Sequence, residues 1–124
     1  MFRHWKDIEE FDPQAVIFSE GDPADAVYVI LSGEVELALR GQSLGTESEG
    51  SLIGEMALLD SASRNATAVA RTRVKLARLD RAQFQKMIGE NAEFSFRAMT
   101  VLANRLRAVD RVIISQMEDK NVVE

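Results

Sequence analysis

Residues 27–39 have the sequence VYVILSGEVELAL, and this stretch decides the fold class. Five apolar residues come first, a glycine follows at position 33, and the next segment alternates the apolar Val35 and Leu37 with Glu36. Runs of this kind predict two β-strands joined by a turn at Gly33. Glycine suits the turn because it adopts a positive φ without steric cost.

Similar short apolar runs flank this pair of strands, at residues 16–18, 52–53, 66–70 and 74–79. Several short strands at near-regular spacing predict a sandwich or a barrel. Six of the seven glycines lie between the runs, where turns favour residues without a Cβ atom: Gly21, Gly33, Gly41, Gly45, Gly50 and Gly54. We therefore predict a mainly β fold, an antiparallel β-barrel of the jelly-roll-like β-roll type, over residues 13–80.

The N-terminal residues have a helical pattern. Trp5, Ile8 and Phe11 recur at helical spacing, which predicts a short helix over residues 1–12.

The region after the strands predicts two more helices. Asp80 can cap a helix that begins at Arg81, and Gly89 can end it. No glycine or proline occurs from residue 92 to residue 117, so a long helix should follow. The predicted organisation is one domain over residues 1–124, with C-terminal helices at 81–117 and a tail at 118–124.

The long C-terminal helix has two faces at about 100° per residue. The predicted apolar stripe contains Met99, Leu102, Leu106, Val109 and Ile113, and the opposite side contains Arg97, Asn104, Arg107 and Arg111. Such a helix can pack on its own barrel or pair with a second copy in a homodimer, and the sequence leaves both open.

The composition excludes several classes of function. Among 124 residues there is no cysteine and one histidine, His4. Cysteine-ligated zinc sites and thiol catalysis are therefore excluded, and one histidine cannot form a multi-histidine metal centre. We predict no metal site, no cofactor and no catalytic residue, and we expect that the chain is not an enzyme.

No apolar run reaches the roughly 18 to 20 residues of a membrane-spanning helix, and the first residues lack the hydrophobic stretch of a signal peptide. We expect a cytoplasmic protein that does not bind membranes.

The net charge of −5 divides unevenly along the chain. Residues 1–63 carry 3 basic and 13 acidic side chains, whereas residues 64–124 carry 12 and 7. The basic half can hold an anion site, or its charges can belong to solvated helix faces. The negative net charge argues against general nucleic-acid binding.

One segment breaks the strand pattern. Gly54 is followed by helix formers from Glu55 to Asp60, and Arg64 comes nine residues after Glu55. A helix that begins at Gly54 would offer unpaired backbone N–H groups and the positive end of its dipole. With a nearby guanidinium group, these would form an anion site.

Two segments resemble signatures of the cyclic-nucleotide-binding domain, the module shared by catabolite activator proteins, protein kinase A regulatory subunits and cyclic-nucleotide-gated channels. Residues 20–33, EGDPADAVYVILSG, are similar to the family's early hairpin. Residues 50–59, GSLIGEMALL, followed by RNAT at 64–67, are similar to its phosphate-binding cassette, which we place at 54–67 with a short internal helix. The resemblance extends from about Phe11 to Leu106.

The resemblance implies roles for the matching residues. Glu55 would accept a hydrogen bond from the ribose 2′-OH, and Arg64 would pair with the exocyclic oxygens of the cyclic phosphate. Backbone N–H groups of the same segment would complete the cradle. The implied ligand-binding residues are Gly54, Glu55, Met56, Ala57, Arg64, Asn65 and Ala66.

Asn65 departs from the family pattern, which has a small residue after the arginine. Its amide carries a donor and an acceptor, so it can contact the phosphate, contact the base or crowd it. Because Asn65 is not the threonine that accompanies guanine preference in the family, the resemblance favours cAMP over cGMP.

The resemblance thus implies a regulatory domain that binds cAMP, or less favourably cGMP, and relays occupancy through its C-terminal helix to an effector protein. The alternative is a degenerate domain that binds no ligand and serves protein–protein contact. Because only seven residues follow Met117, we expect no helix-turn-helix and no direct DNA binding.

Overall fold

The computed structural model of the chain describes residues 5, 7–55, 64 and 66–123, with side chains as far as Glu118. The elements in these residues are the strands β1 (Ile8–Phe11), β2 (Val16–Phe18), β3 (Ala26–Ser32), β4 (Val35–Leu39), β5 (Gln42–Glu47), β6 (Leu52–Ile53), β7 (Thr67–Ala70) and β8 (Val74–Asp80), and the helices α1 (Arg81–Glu90) and α2 (Ala92–Val123).

The strands form two antiparallel four-stranded sheets, in the orders β1-β8-β3-β6 and β2-β7-β4-β5. The predicted mainly β fold is confirmed. The predicted closed barrel is not, because no ladder among the described strands joins the two sheets into one. Alternating apolar residues and glycine turns occur in barrels and in two-sheet folds alike, so the sequence pattern does not separate them.

The core lies between the sheets, and a second apolar cluster lies under the helices. Residues from both sheets fill the first cluster: Phe18, Ile30, Val35, Leu37, Ile53, Ala68, Ala70, Val74 and Leu76. In β3, Tyr28 and Ile30 face this core, whereas Val27 and Val29 pack with Phe84 and Phe94 of the helices. Both faces of β3 are therefore covered, which explains its continuous apolar run.

The predicted N-terminal helix is wrong over Ile8–Phe11, which form strand β1. This strand pairs with β8, with Ile8 opposite Ala77 and Phe11 opposite Val74. The ladder satisfies backbone hydrogen-bonding groups along one edge of β8, a tertiary contribution that the spacing of apolar residues does not reveal. Residues 1–4, including His4, lie outside the described part of the chain.

Helix α1 begins where the sequence predicts. The Gln83 N–H donates to the Asp80 side chain at 2.8 Å, and the Asp80 N–H donates to the Gln83 side chain at 2.8 Å, so the two residues form a capping box. The helix ends after Glu90 rather than at Gly89.

Asn91 separates the two helices and caps the second, because its side chain accepts a hydrogen bond from the Phe94 N–H at 2.9 Å. Helix α2 begins at Ala92 as predicted and continues to Val123, so residues 118–123 are helical rather than a tail. No glycine or proline in this stretch interrupts the helix.

Gly33, in the turn between β3 and β4, has a φ of +92°. A Cβ atom there would collide with the Arg73 carbonyl oxygen and contact the Val74 Cα. Both the backbone conformation and the close approach of a neighbouring strand therefore require glycine at this position.

We expect Gly33→Ala to destabilise the fold more than Gly41→Ala. Both residues have positive φ, which costs about 1–2 kcal/mol for alanine. Open space surrounds a Cβ atom at Gly41, whereas the collision at Gly33 should add about 1–3 kcal/mol. Urea unfolding of the two variants measures the difference. Equal losses would show that the backbone of β8 yields without cost.

Candidate ligand site

A cavity of about 220 Å³ lies between the β2-β7-β4-β5 sheet and helix α2. Its lining residues are Phe18, Leu37, Leu39, Arg40, Leu44, Gly54, Glu55, Arg64, Ala66, Arg105, Val109 and Ile113. Charged side chains and an apolar wall of leucine, valine and isoleucine therefore share one cavity, as in many small-molecule sites.

Arg64 is buried in this cavity, with 5% of its surface exposed. Two backbone hydrogen bonds to the turn at Gly21 and Asp22 hold Arg64 in position. The Arg64 N–H donates to the Asp22 carbonyl at 2.8 Å, and the Arg64 carbonyl accepts from the Gly21 N–H at 2.9 Å. The glycine-acid turn of the first signature thus anchors the arginine of the second.

The Arg64 guanidinium lies over the Phe18 ring, 4.3 Å from the ring centre, and donates from Nη1 to the Gly54 carbonyl at 3.1 Å. Its Nε is buried and has no hydrogen-bond partner among the described residues. Burial lowers the pKa of Arg64, an effect that nearby Tyr28, Asp25 and Glu55 partly offset. The group remains a cation in a poorly hydrated place.

Gly54 is required where it lies. Its φ is +81°, and a Cβ atom would collide with Nη1 of Arg64. A side chain at this position would force the end of the Arg64 side chain to shift away from the Gly54 carbonyl.

Glu55 follows directly and is almost fully buried, with 1% exposed. Its Oε1 accepts a hydrogen bond from Nη1 of Arg105 at 2.9 Å, while its buried Oε2 has no partner among the described residues. Burial raises the pKa of Glu55, and the charge of Arg105 opposes that rise. Oε2 of this buried carboxylate thus lies beside the cavity with no donor from the described residues.

Arg105 connects helix α2 to the site. It is buried, donates from Nη2 to the Leu52 carbonyl at 3.1 Å, and lies 3.7 Å from the Glu47 carboxylate. With the bond to Glu55, the Arg105 side chain contacts three residues between the end of β5 and the second residue after β6, namely Glu47, Leu52 and Glu55.

Arg105 was not among the predicted site residues, because the predicted stripe on α2 is displaced from the buried one. The side chains that face inward are Phe94, Ala98, Val101, Arg105, Ala108 and Val112, at alternating spacings of four and three. Two alanines and an arginine weaken this pattern. The spacing itself, which continues from Phe94 to Val112, is the signal that identifies the buried face.

The predicted apolar stripe lies beside the buried face and is partly exposed. Leu102, Val109 and Ile113 are half-buried, whereas Met99 and Leu106 are 60% and 51% exposed. Arg97, predicted on the opposite side, is half-buried and donates to the Gly50 carbonyl at 3.2 Å.

Four of the seven predicted site residues line the cavity, namely Gly54, Glu55, Arg64 and Ala66. The other three, Met56, Ala57 and Asn65, lie outside the described residues, as does most of the predicted cassette helix. The described part of that helix is Glu55.

The profile of the cyclic nucleotide-binding domain matches residues 8–91. The chain belongs to this family. The matched residues include the eight described strands, helix α1, and the buried charged residues Glu55 and Arg64 of the cavity. Arg105 and the rest of α2 lie outside the match.

Two curated relatives of this cyclic nucleotide-binding domain are regulatory proteins. A cAMP-dependent protein kinase regulatory subunit from Yarrowia lipolytica is 38% identical over 80 residues, which cover 63% of this chain and 21% of that protein. A CRP-like cAMP-activated global transcriptional regulator from Mycobacterium tuberculosis is 30% identical over 103 residues, which cover 79% of this chain and 46% of that protein.

The fold also matches the crystal structure of the Thermus thermophilus catabolite activator protein, with a TM-score of 0.70 and 32% identity over 90% of this chain and 55% of that one. The chain thus spans from about a fifth to about half the length of these relatives.

Neither α1 nor α2, the helices of the described part, is apolar enough over its length to cross a membrane.

We expect Arg105→Met to destabilise the domain by about 3–5 kcal/mol, because it leaves the Glu55 carboxylate buried without its partner. Adding Glu55→Gln should restore part of the loss. Urea unfolding of both single variants and the double variant gives the coupling. Additive losses would show that the 2.9 Å contact contributes no coupling energy.

The pH dependence provides a control for this cycle. Burial raises the pKa of Glu55 in the folded chain above its usual 4.5, so the folded state binds this proton more tightly than the unfolded state. Its contribution to stability therefore decreases as the pH rises above 4.5. As the pH rises above 4.5, the free energy of unfolding of Arg105→Met should therefore fall further below that of the double variant, which lacks this carboxyl group. A difference that stays constant with pH would contradict the assignment of the titration to Glu55.

Proposed function

We propose that the domain binds a purine 3′,5′-cyclic mononucleotide, cAMP in preference to cGMP, in the cavity beside Glu55 and Arg64. The observation that carries the proposal is that these two buried side chains each have a buried polar atom without a partner among the described residues. An unsatisfied buried polar atom is costly, so two at one cavity favour a ligand that supplies both partners.

The chemistry of a cyclic nucleotide fits these atoms. The Arg64 guanidinium is a donor for the cyclic phosphate, whose negative charge a buried cation favours. Oε2 of Glu55 is an acceptor for the ribose 2′-OH. Backbone N–H groups of Gly54, Glu55, Ala57 and Asn65 or Ala66 would complete the phosphate cradle.

The apolar wall would hold the purine. Leu39 and Leu44 lie on the sheet side of the cavity, and Val109 and Ile113 lie on the helix side. A flat heterocycle between them would bury apolar surface on both faces. The two relatives are a cAMP-dependent kinase regulatory subunit and a cAMP-activated regulator, and position 65 is not threonine; both observations support cAMP as the favoured ligand.

Helix α2 would relay occupancy through Arg105. The Glu55 carboxylate that would accept from the ribose already accepts from Arg105. A ligand that changes the hydrogen bonding of Glu55 changes the free energy of the α2 position, and by linkage the position of α2 changes ligand affinity.

A second proposal concerns protein contact. Helix α2 exposes large apolar side chains, namely Phe96, Met99, Leu106, Ile114 and Met117. Exposed apolar residues along one helix favour a homodimer through α2 or contact with an effector protein. This surface would also serve a degenerate domain that binds no ligand.

The first test is thermal stability with cAMP. A ligand that binds only the folded state adds about 2.7 kcal/mol at a hundredfold excess over its dissociation constant. We expect cAMP to raise the melting temperature of the wild type, and Arg64→Ala to lose most of this shift. Arg71→Ala removes an exposed arginine outside the cavity and should retain it.

Glu55→Ala should weaken binding less than Arg64→Ala, because the glutamate satisfies a hydroxyl whereas the arginine compensates a charge. No shift of the wild-type melting temperature with millimolar cAMP or cGMP would refute the proposed function.

The homodimer is tested by light scattering. We expect a dimer of the wild type that Leu106→Ser converts to monomer, since this side chain is half exposed on the apolar surface of α2. Arg107→Ser, at an exposed neighbouring position, is the matched control and should remain dimeric. A monomeric wild type at all concentrations would exclude the homodimer. If Leu106→Ser is monomeric and its cAMP affinity is unchanged, the coupling between the ligand and helix α2 acts within one chain.

A further inference from the structure

A groove of about 450 Å³ lies between helix α2 and the segment that joins β5 to β6, and it shares no lining residue with the ligand cavity. We call it the α2 groove. Along the helix it extends from Glu93 to Asn104, and its other wall includes Glu47 and Glu49. Eleven residues along a helix correspond to about 16 Å, the length of about five residues of an extended chain. The groove therefore has the dimensions of a peptide segment.

The charge of the α2 groove is negative. Its lining residues in the described chain include the carboxylates of Glu47, Glu49 and Glu93 and one cation, Arg97. Arg97 donates to the Gly50 carbonyl at 3.2 Å and lies 3.8 Å from the Glu93 carboxylate. Because carboxylates outnumber the guanidinium, the groove favours a cationic partner.

Phe96 indicates which cation fits. This side chain is 70% exposed and lies three residues after Glu93, on the same side of helix α2. A planar guanidinium can stack on an aromatic ring and at the same time donate to a carboxylate. The exposed ring beside Glu93 therefore favours arginine.

An apolar cavity of about 220 Å³ adjoins the groove, because Glu49, Gly50 and Arg97 line both. Its apolar walls include Trp5, Val29, Leu31, Leu52 and Phe94. A large apolar side chain of the same peptide would bury its surface there, which favours binding.

Glu47 connects the groove with the ligand cavity. Its Oε1 accepts a hydrogen bond from the Ser51 hydroxyl at 2.8 Å and lies 3.7 Å from Nη2 of Arg105. Arg105 in turn lines the ligand cavity and donates to Glu55. A cation bound in the groove would compete with Arg105 for the Glu47 carboxylate.

We propose that the α2 groove docks a segment of a partner protein in which an arginine lies near a large apolar residue. The arginine binds between Phe96 and the carboxylates of Glu49 and Glu93, and the apolar residue enters the adjoining cavity. This docking is independent of the proposed function. Its second consequence rests on that function: through Glu47 and Arg105, docking and nucleotide affinity change each other.

The test is fluorescence anisotropy of dye-labelled peptides titrated with the full chain. The probe is a set of short glycine-serine peptides, each with one arginine and one leucine at a different separation. We expect binding by at least one peptide and its loss when citrulline, which has the shape of arginine without the charge, replaces the arginine. If no peptide binds, or if the citrulline peptides bind equally well, the docking surface is wrong.

Variants of the groove locate the binding. Glu49→Gln and Glu93→Gln should each raise the dissociation constant of the peptide about threefold, as expected for exposed ion pairs. Glu34→Gln, which removes an exposed carboxylate outside the groove, is the matched control and should bind as the wild type does. Equal weakening in all three variants would show that the peptide responds to net charge, which overturns the proposal.

The aromatic contact has its own control. Phe96→Ala should weaken peptide binding, whereas Met117→Ala removes an exposed apolar side chain further along α2 and should not. Light scattering tests a second copy as the occupant. If Glu49→Gln converts an oligomeric wild type to monomer, the groove is an interface between copies and the docking of a partner segment is wrong.

Addition of cAMP separates the docking surface from the proposed function. A wild type that binds the peptide but neither cAMP nor cGMP refutes the proposed function, and the docking surface stands. If the wild type binds both peptide and cAMP, saturating cAMP should change the dissociation constant of the peptide. An unchanged constant would show that the competition for Glu47 is wrong.

Discussion

The hydrogen-bonded ion pair between Arg105 and Glu55 is the contact on which the rest of the site depends. It joins residues fifty positions apart and connects the long C-terminal helix to the residue that follows Gly54. A buried ion pair contributes little net stability, but loss of one partner is costly because the other charge stays buried. The pair connects α2 to the sheets beside the cavity, and three residues of α2, Arg105, Val109 and Ile113, form the helix side of that cavity.

Close packing of backbone and guanidinium sets the other constraint. Gly54 leaves space for Arg64, and the turn at Gly21 and Asp22 holds the arginine backbone with two hydrogen bonds. The two sequence signatures are therefore one structural unit, in which the first positions the arginine of the second. This arrangement explains why two segments more than forty positions apart along the chain meet beside a single cavity.

Local features were predictable from the sequence, and features that depend on distant partners were not. Glycine turns and the Asp80 cap involve neighbouring residues, so their residue types suffice to identify them. Strand β1 requires the edge of β8, and the apolar spacing of Trp5, Ile8 and Phe11 favoured a helix instead. Arg105 was missed because its partners on the buried face of α2, Glu47, Leu52 and Glu55, lie about fifty positions earlier in the chain. The resemblance predicted Glu55 and Arg64, but not that each has a buried polar atom without a partner among the described residues.

Under the proposed function, the charges of the cavity would couple the ligand to helix α2. Glu55 has a cationic partner in Arg105, whereas Arg64 forms no ion pair with a described carboxylate, and Asp25 and Glu55 only partly offset the cost of its burial. A buried cation without a counter-ion costs free energy, and an anionic ligand removes that cost. The same ligand would bring a hydroxyl group to Glu55, whose other oxygen is bonded to α2. Arg64 would thus attract the anionic ligand, whereas Glu55 would transmit the effect of the ligand to helix α2. Ligand affinity and the relay of occupancy to α2 would depend on different residues of one site.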